Sequence, residues 1–125
     1  MTVSFSLNDG VGVFTTVGDV DYEEGLRVLE EGMQEIRISG SPPVLLFDLT
    51  QSAENRSREE LQMMAVFIHE RLPRAKLAMV VHGDLYYGIS RMFGSFAESY
   101  DLETCVFREM DEAVAWCLAR ARVTH

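Results

Sequence analysis

The sequence predicts a single α/β domain spanning residues 1–125, built on one mixed, mostly parallel five-stranded sheet with an opening β-hairpin and four helices. The order is β-β-α-β-α-β-α-β-α. Three observations carry this reading. Apolar and polar residues alternate across 3–7 and apolar ones resume after Asn8-Asp9-Gly10. Runs at 44–47 and 77–81 are continuously apolar and of strand length. Elsewhere, apolar residues recur at spacings of three and four, the helical period. A hairpin followed by strand-helix alternation requires parallel strands joined by helical crossovers, which are right-handed in nearly all proteins. A chain of 125 residues is large enough to bury one core and too short for two.

Val3, Phe5 and Leu7 alternate with Ser4 and Ser6, and Asn8-Asp9-Gly10 is a turn cluster suited to positive backbone dihedrals, so the chain opens on a hairpin. Asp21 caps the first helix, where Tyr22, Leu26, Leu29, Met33 and Ile36 form the apolar stripe. Gly25 and Gly32 lie inside this helix despite a cost near 1 kcal/mol each, which close packing against a neighbour explains. Ser39-Gly40-Ser41-Pro42-Pro43 stops it. The run at 44–47 has no polar face, so helices cover both sides of the sheet. The second helix starts at Ser57, has the inner row Leu61, Met64, Ala65, Ile68 and Leu72, and ends at Pro73. After the strand at 77–81 and His82-Gly83-Asp84, residues Leu85, Ile89, Met92, Phe93 and Phe96 repeat with helical spacing. Glu103–Phe107 makes the last strand, and 110–122 the last helix.

Twenty acidic residues against eleven basic ones give a net charge of −9, which repels nucleic acid and anionic lipid surfaces. Cys105 and Cys117 belong to no metal or redox spacing and read as reduced, buried small side chains. No basic segment precedes an apolar run and no run is long enough to span a bilayer, so the expected location is the cytoplasm. No residue pattern calls for a metal or a cofactor.

Candidate sites gather at the carboxyl ends of the strands, where open α/β sheets place ligands. Ser57 and Glu60 have the spacing of a capping box, a structural role of roughly 1 kcal/mol. Asp48, His82 and Asp84 end central strands or begin the next helix. Two carboxylates and an imidazole there suit acid–base work or a divalent ion, and serve equally well as caps and turn formers. With Thr50, Arg56, Arg58, Tyr86 and Tyr87 they outline a ligand or partner edge. Met63, Phe67, Met92, Phe93 and Phe96 supply more soft apolar surface than one inner stripe needs, for core packing, an apolar pocket or a homodimer interface.

The element order, with Phe47-Asp48-Leu49-Thr50 at the third strand and the closing Val106-Phe107-Arg108-Glu109-Met110-Asp111-Glu112-Ala113-Val114-Ala115-Trp116, resembles the SpoIIAA-like proteins of the STAS group. In bacterial anti-anti-sigma members a serine at the start of the helix after the third strand is phosphorylated and controls binding to a partner kinase. Ser57 falls at the matching place, where a phosphate would have Arg56 and Arg58 beside it. Those regulators carry Asp-Ser followed by a small residue, Gly and Leu, whereas this chain has Arg56-Ser57-Arg58-Glu59-Glu60. Other members of the group are compared with lipid-binding CRAL-TRIO domains. The resemblance implies a non-catalytic module that acts through a protein partner, with a carrier of small apolar, lipid-like ligands as the alternative and an enzyme using Asp48, His82 and Asp84 as the least favoured reading.

Overall fold

The computed structural model describes residues 1–123. One five-stranded sheet runs in the order β1-β2-β3-β4-β5. Strand β1 (Thr2–Asn8) is antiparallel to β2 (Val11–Gly18), and β3 (Val44–Ser52), β4 (Lys76–Val80) and β5 (Glu103–Phe107) follow in parallel. The hairpin turns through Asp9 and Gly10 at φ of 54° and 81°, the positive pair that matches strand twist. Helices α1 (Tyr22–Ser39), α2 (Arg58–Arg71), α3 (Asp84–Glu98) and α4 (Met110–Val123) alternate with or follow the strands as the sequence predicts.

Each crossover steps to the adjacent strand in the same direction, so α1, α2 and α3 share one face of the sheet. Their inner residues Leu29, Met33, Ala65, Ile68, Phe93 and Ala97 form a core with Phe14, Leu45, Leu77 and Met79. On the other face, Ala113 and Cys117 of α4 meet Val44, Leu46, Ala78 and Val80. The central strands are therefore covered on both sides, which is why they read as continuous apolar runs. Because the strand order never reverses, the sheet has no switch-point crevice.

Three details depart from the sequence reading. Strand β3 runs five residues past its apolar segment, because Asp48, Gln51 and Ser52 still pair with β2 across a register shift between Thr15 and Val17. Helix α3 turns a different face inward: Ser90, Phe93, Gly94 and Ala97 are buried, whereas Leu85 is 72% exposed and Met92 40%. The cause is close approach to β5, since a Cβ on Gly94 would lie 2.8 Å from Thr104 Oγ1. In α1, Gly32 packs as the sequence predicts, with a Cβ there meeting Phe14 Cζ at 2.6 Å, but one on Gly25 would touch only Arg56 Nη2 at 3.5 Å.

Candidate functional site

At the carboxyl end of β3 the chain leaves the sheet as a short strap, residues 53–57, before entering α2. The amide of Ala53 donates to the Gly18 carbonyl at 2.9 Å, and Ser52 Oγ accepts from the Glu54 amide at 3.2 Å, bending the strap over the sheet. Arg56 then turns inward. Its guanidinium pairs with Glu54, donates to the Val20 carbonyl at 2.7 Å and lies over the Tyr22 ring at 5.3 Å. Two phenols clamp the surroundings: Tyr86 of α3 donates to the Glu54 carbonyl at 2.8 Å, and Tyr22 of α1 to the Glu60 carbonyl at 3.2 Å. The strap is thus tied to all three helices on its face.

Beneath it lies a cavity of about 110 Å³. Phe14, Phe47, Leu49 and Met79 line it from the sheet, and Leu29, Leu61, Met64 and Phe93 from the helices. Thr16 and Ser90 are the two buried polar residues among those described, 6% and 3% exposed, and both line this cavity. Ser52, Glu54, Arg56, Tyr22 and Tyr86 complete its lining with polar groups. Burial raises the Glu54 carboxyl above its ordinary value, outweighing the opposing pull of Arg56 and Ser52. Burial likewise raises both phenols, with Glu60 adding to the effect on Tyr22. Both tyrosines therefore stay protonated donors at neutral pH.

The residues expected at the ligand edge divide into two groups. Tyr86 and Arg56 line the cavity. Asp48 belongs elsewhere: its neighbours Phe47 and Leu49 line the cavity, so strand alternation turns it to the opposite face. There it accepts from the Thr50 amide at 3.1 Å and the Thr50 hydroxyl at 2.7 Å. His82 is exposed, and Asp84, with its side chain 95% exposed, pairs with Arg108 at 3.0 Å. The Arg108 guanidinium in turn lies 4.3 Å over the Tyr87 ring. Among the described residues no hydrogen bond or ion pair joins Asp48, His82 and Asp84, and no group of three or more His, Cys, Asp or Glu side chains is placed to hold a metal ion.

Ser57 is the cap of α2. Its hydroxyl accepts from the Glu60 amide at 3.1 Å, and its amide donates to the Glu60 carboxylate at 2.9 Å, a complete capping box. Next to it, Arg56 pairs with Glu54 and donates to the Val20 carbonyl. Arg58 lies 5.5 Å over the Phe96 ring. Of the apolar set, Phe93 lines the cavity, while Met63 is 59% exposed and Phe67 is capped by the Arg71 guanidinium at 3.5 Å. The sequence reading missed Thr16, Ser90, Glu54 and Tyr22. The available signal was a hydroxyl within each apolar pattern, Thr16 in a strand and Ser90 in a helix.

No protein-family model and no curated protein matches the chain. Among solved structures it is similar to an uncharacterised protein of the DUF3478 family from Shewanella loihica PV-4, at 19% identity and a TM-score of 0.62, over 93% of this chain and 92% of that one. That protein has a SpoIIAA-like fold, and the shared element order, mixed sheet and helix placement give this chain the same SpoIIAA-like fold.

Proposed function

We propose that this chain is a non-catalytic STAS-like binding module whose ligand is a small, mostly apolar molecule held between the sheet and helices α1 to α3. One observation carries this reading: an apolar cavity of about 110 Å³ with both buried hydroxyl residues, Thr16 and Ser90, in its wall. Close-packed interiors hold few voids larger than a water molecule. An engineered apolar cavity of about 150 Å³ stays dry and takes up benzene, so the volume suits a ligand of one ring or a short chain.

The partner-protein reading, placed on the edge from Asp48 to Ser57 and His82 to Tyr87, has no single observation of comparable weight behind it. Catalysis has none either, because the acid–base groups named from the sequence are not joined. Native mass spectrometry of protein purified without refolding from its own host tests the proposal. The expected spectrum shows the 14.1 kDa chain carrying a non-covalent small mass that denaturation removes. A bare chain that also fails to bind any single-ring compound would refute it.

A further inference from the structure

The geometry points to strand β1 as a self-association edge, where a second copy of this chain adds its own β1 in antiparallel register and the two sheets become one. Strands β1 and β5 are the edges of the sheet. β5 is guarded in ways that edges ordinarily are: it is five residues long, and its Glu103 holds Arg120 of α4 at 2.8 Å. β1 has no such guard. Its seven residues, Thr2–Asn8, include no charge, proline or glycine, and they pair with β2 in unbroken register. The strand is also preorganised, with the Phe5 ring packed 4.8 Å from that of Phe14.

The hairpin turn decides which backbone groups of β1 are free. Asp9 and Gly10, both at positive φ, close Asn8 onto Val11 as a hydrogen-bonded pair. Such pairs alternate along an antiparallel ladder, so Ser6 with Val13, Ser4 with Thr15 and Thr2 with Val17 exchange bonds as well. Val3, Phe5 and Leu7 therefore turn their N–H and C=O groups away from the sheet. Among the described residues nothing bonds to them there. Set against a reversed copy of itself, the strand is symmetric about Phe5. Phe5 then faces Phe5 across a two-fold axis, Val3 faces Leu7, Ser4 faces Ser6 and Thr2 faces Asn8. Apolar opposes apolar on the helix-covered face, and hydroxyl opposes hydroxyl on the exposed one. The outward backbone groups fall on the Phe5 and Val3–Leu7 pairs, which become the hydrogen-bonded positions of the new ladder. Any other register shortens the overlap. This symmetry selects a second copy over a foreign strand. A chain of net charge −9 repels its copy over most of its surface, but no ionisable side chain lies on this strand.

Sedimentation equilibrium of the full chain, with amide hydrogen exchange on the same samples, tests this at about 0.3 M salt, which screens the net charge. A reversible dimer should build up as the concentration rises to about 1 mM. As it forms, exchange at Val3, Phe5 and Leu7 should slow at least fivefold, and at Ser4 and Ser6, already bonded to β2, by less. Val3→Pro removes an outward N–H and no bond to β2, so the variant should fold and dimerise at least tenfold more weakly. Replacing Ser4 and Ser6 together by Lys sets ammonium opposite ammonium across the axis. It should weaken the dimer as much, although it makes each copy less negative. A chain that stays monomeric throughout, a dimer that both variants leave as tight, or one whose Val3, Phe5 and Leu7 amides exchange as in the monomer would overturn the proposal.

Discussion

Arg56 donates to the Val20 carbonyl oxygen across 2.7 Å, joining two loops that lie 36 residues apart in the chain. Val20 is buried and the Arg56 side chain nearly so, and the same guanidinium holds Glu54. Removing one partner of such a pair leaves the other buried and uncompensated. Arg56→Met keeps much of the packing stem but strands Glu54 and the Val20 carbonyl. It should cost about 3 kcal/mol, read as a lower urea midpoint at unchanged slope. Adding Glu54→Gln should recover part of the loss. Additive losses in the double variant would show that the two side chains do not act as a pair.

The raised Glu54 carboxyl also fixes the sign of a pH effect. The folded chain holds this proton more tightly than the unfolded chain, whose carboxyl titrates near the ordinary value of 4.5. As pH rises from that value through the raised one, the unfolded state loses its proton first, and stability contributed by this site falls. Glu54→Gln cannot ionise. Relative to the unaltered protein, its stability should therefore climb with pH across that window, as urea midpoints between about pH 4 and pH 8 would show. A difference that stays flat with pH would mean that the Arg56 pairing cancels the effect of burial.

The two glycines inside α1 should respond oppositely to the same change. A Cβ at Gly32 would lie 2.6 Å from Phe14 Cζ and 2.7 Å from Phe5 Cδ1, so Gly32→Ala forces the α1 to β2 contact apart. Overpacking of that kind costs about 1–3 kcal/mol, against about 1 kcal/mol gained in helix propensity. At Gly25 the added methyl meets only Arg56 Nη2 at 3.5 Å, an ordinary contact. Gly25→Ala should raise stability by up to about 1 kcal/mol. Thermal melts of the two variants check the contrast, and a stabilised Gly32→Ala protein would contradict the packing described.

Much of the fold was legible because its signals are local. The apolar runs at 44–47 and 77–81, the Asp9-Gly10 turn, the Asp21 cap and the Ser57 box each declare an element within a few residues. The face of α3 was not, because Gly94 against Thr104 sets it, a contact between elements that periodicity cannot see. The same limit governs the site. Tyr86 and Arg56 were named for their position at the sheet's end, but Asp48 shares that position and points away. Only the strand's alternation, fixed by Phe47 and Leu49 in the cavity wall, separates them. Glu54 escaped notice because its role depends on how deeply its own loop is buried, and sequence offers no measure of that.

Ser57 should behave as a cap. Its hydroxyl and the Glu60 carboxylate satisfy two amides at the start of α2. Ser57→Ala removes one of these bonds and should cost about 1 kcal/mol, within the range for such caps. Affinity for a single-ring compound should change less than twofold, because Ser57 lies outside the cavity wall. Intact-mass spectra of the two proteins from the native host report any phosphate in the same experiment. A phosphate present in the unaltered chain and missing from the variant would assign Ser57 a regulatory role besides capping.

The α4 face offers a stability probe that is separate from the cavity. Cys117 is fully buried against Val44 and Leu46, and burial pushes its thiol up to about 12, with Arg120 opposing. Only the thiolate reacts with alkylating agents, so native Cys117 should be inert at pH 7.5 on two independent grounds, access and ionisation. Cys105, half-buried on β5, has no such protection by access. Iodoacetamide should add one label to the folded protein and two in urea. Labelling of Cys117 should then report opening of the α4 layer, and if that opening is global, a cavity ligand will slow it by mass action. Cys117 labelled in the native protein as fast as Cys105 would mean that α4 detaches while the three-helix face stays folded.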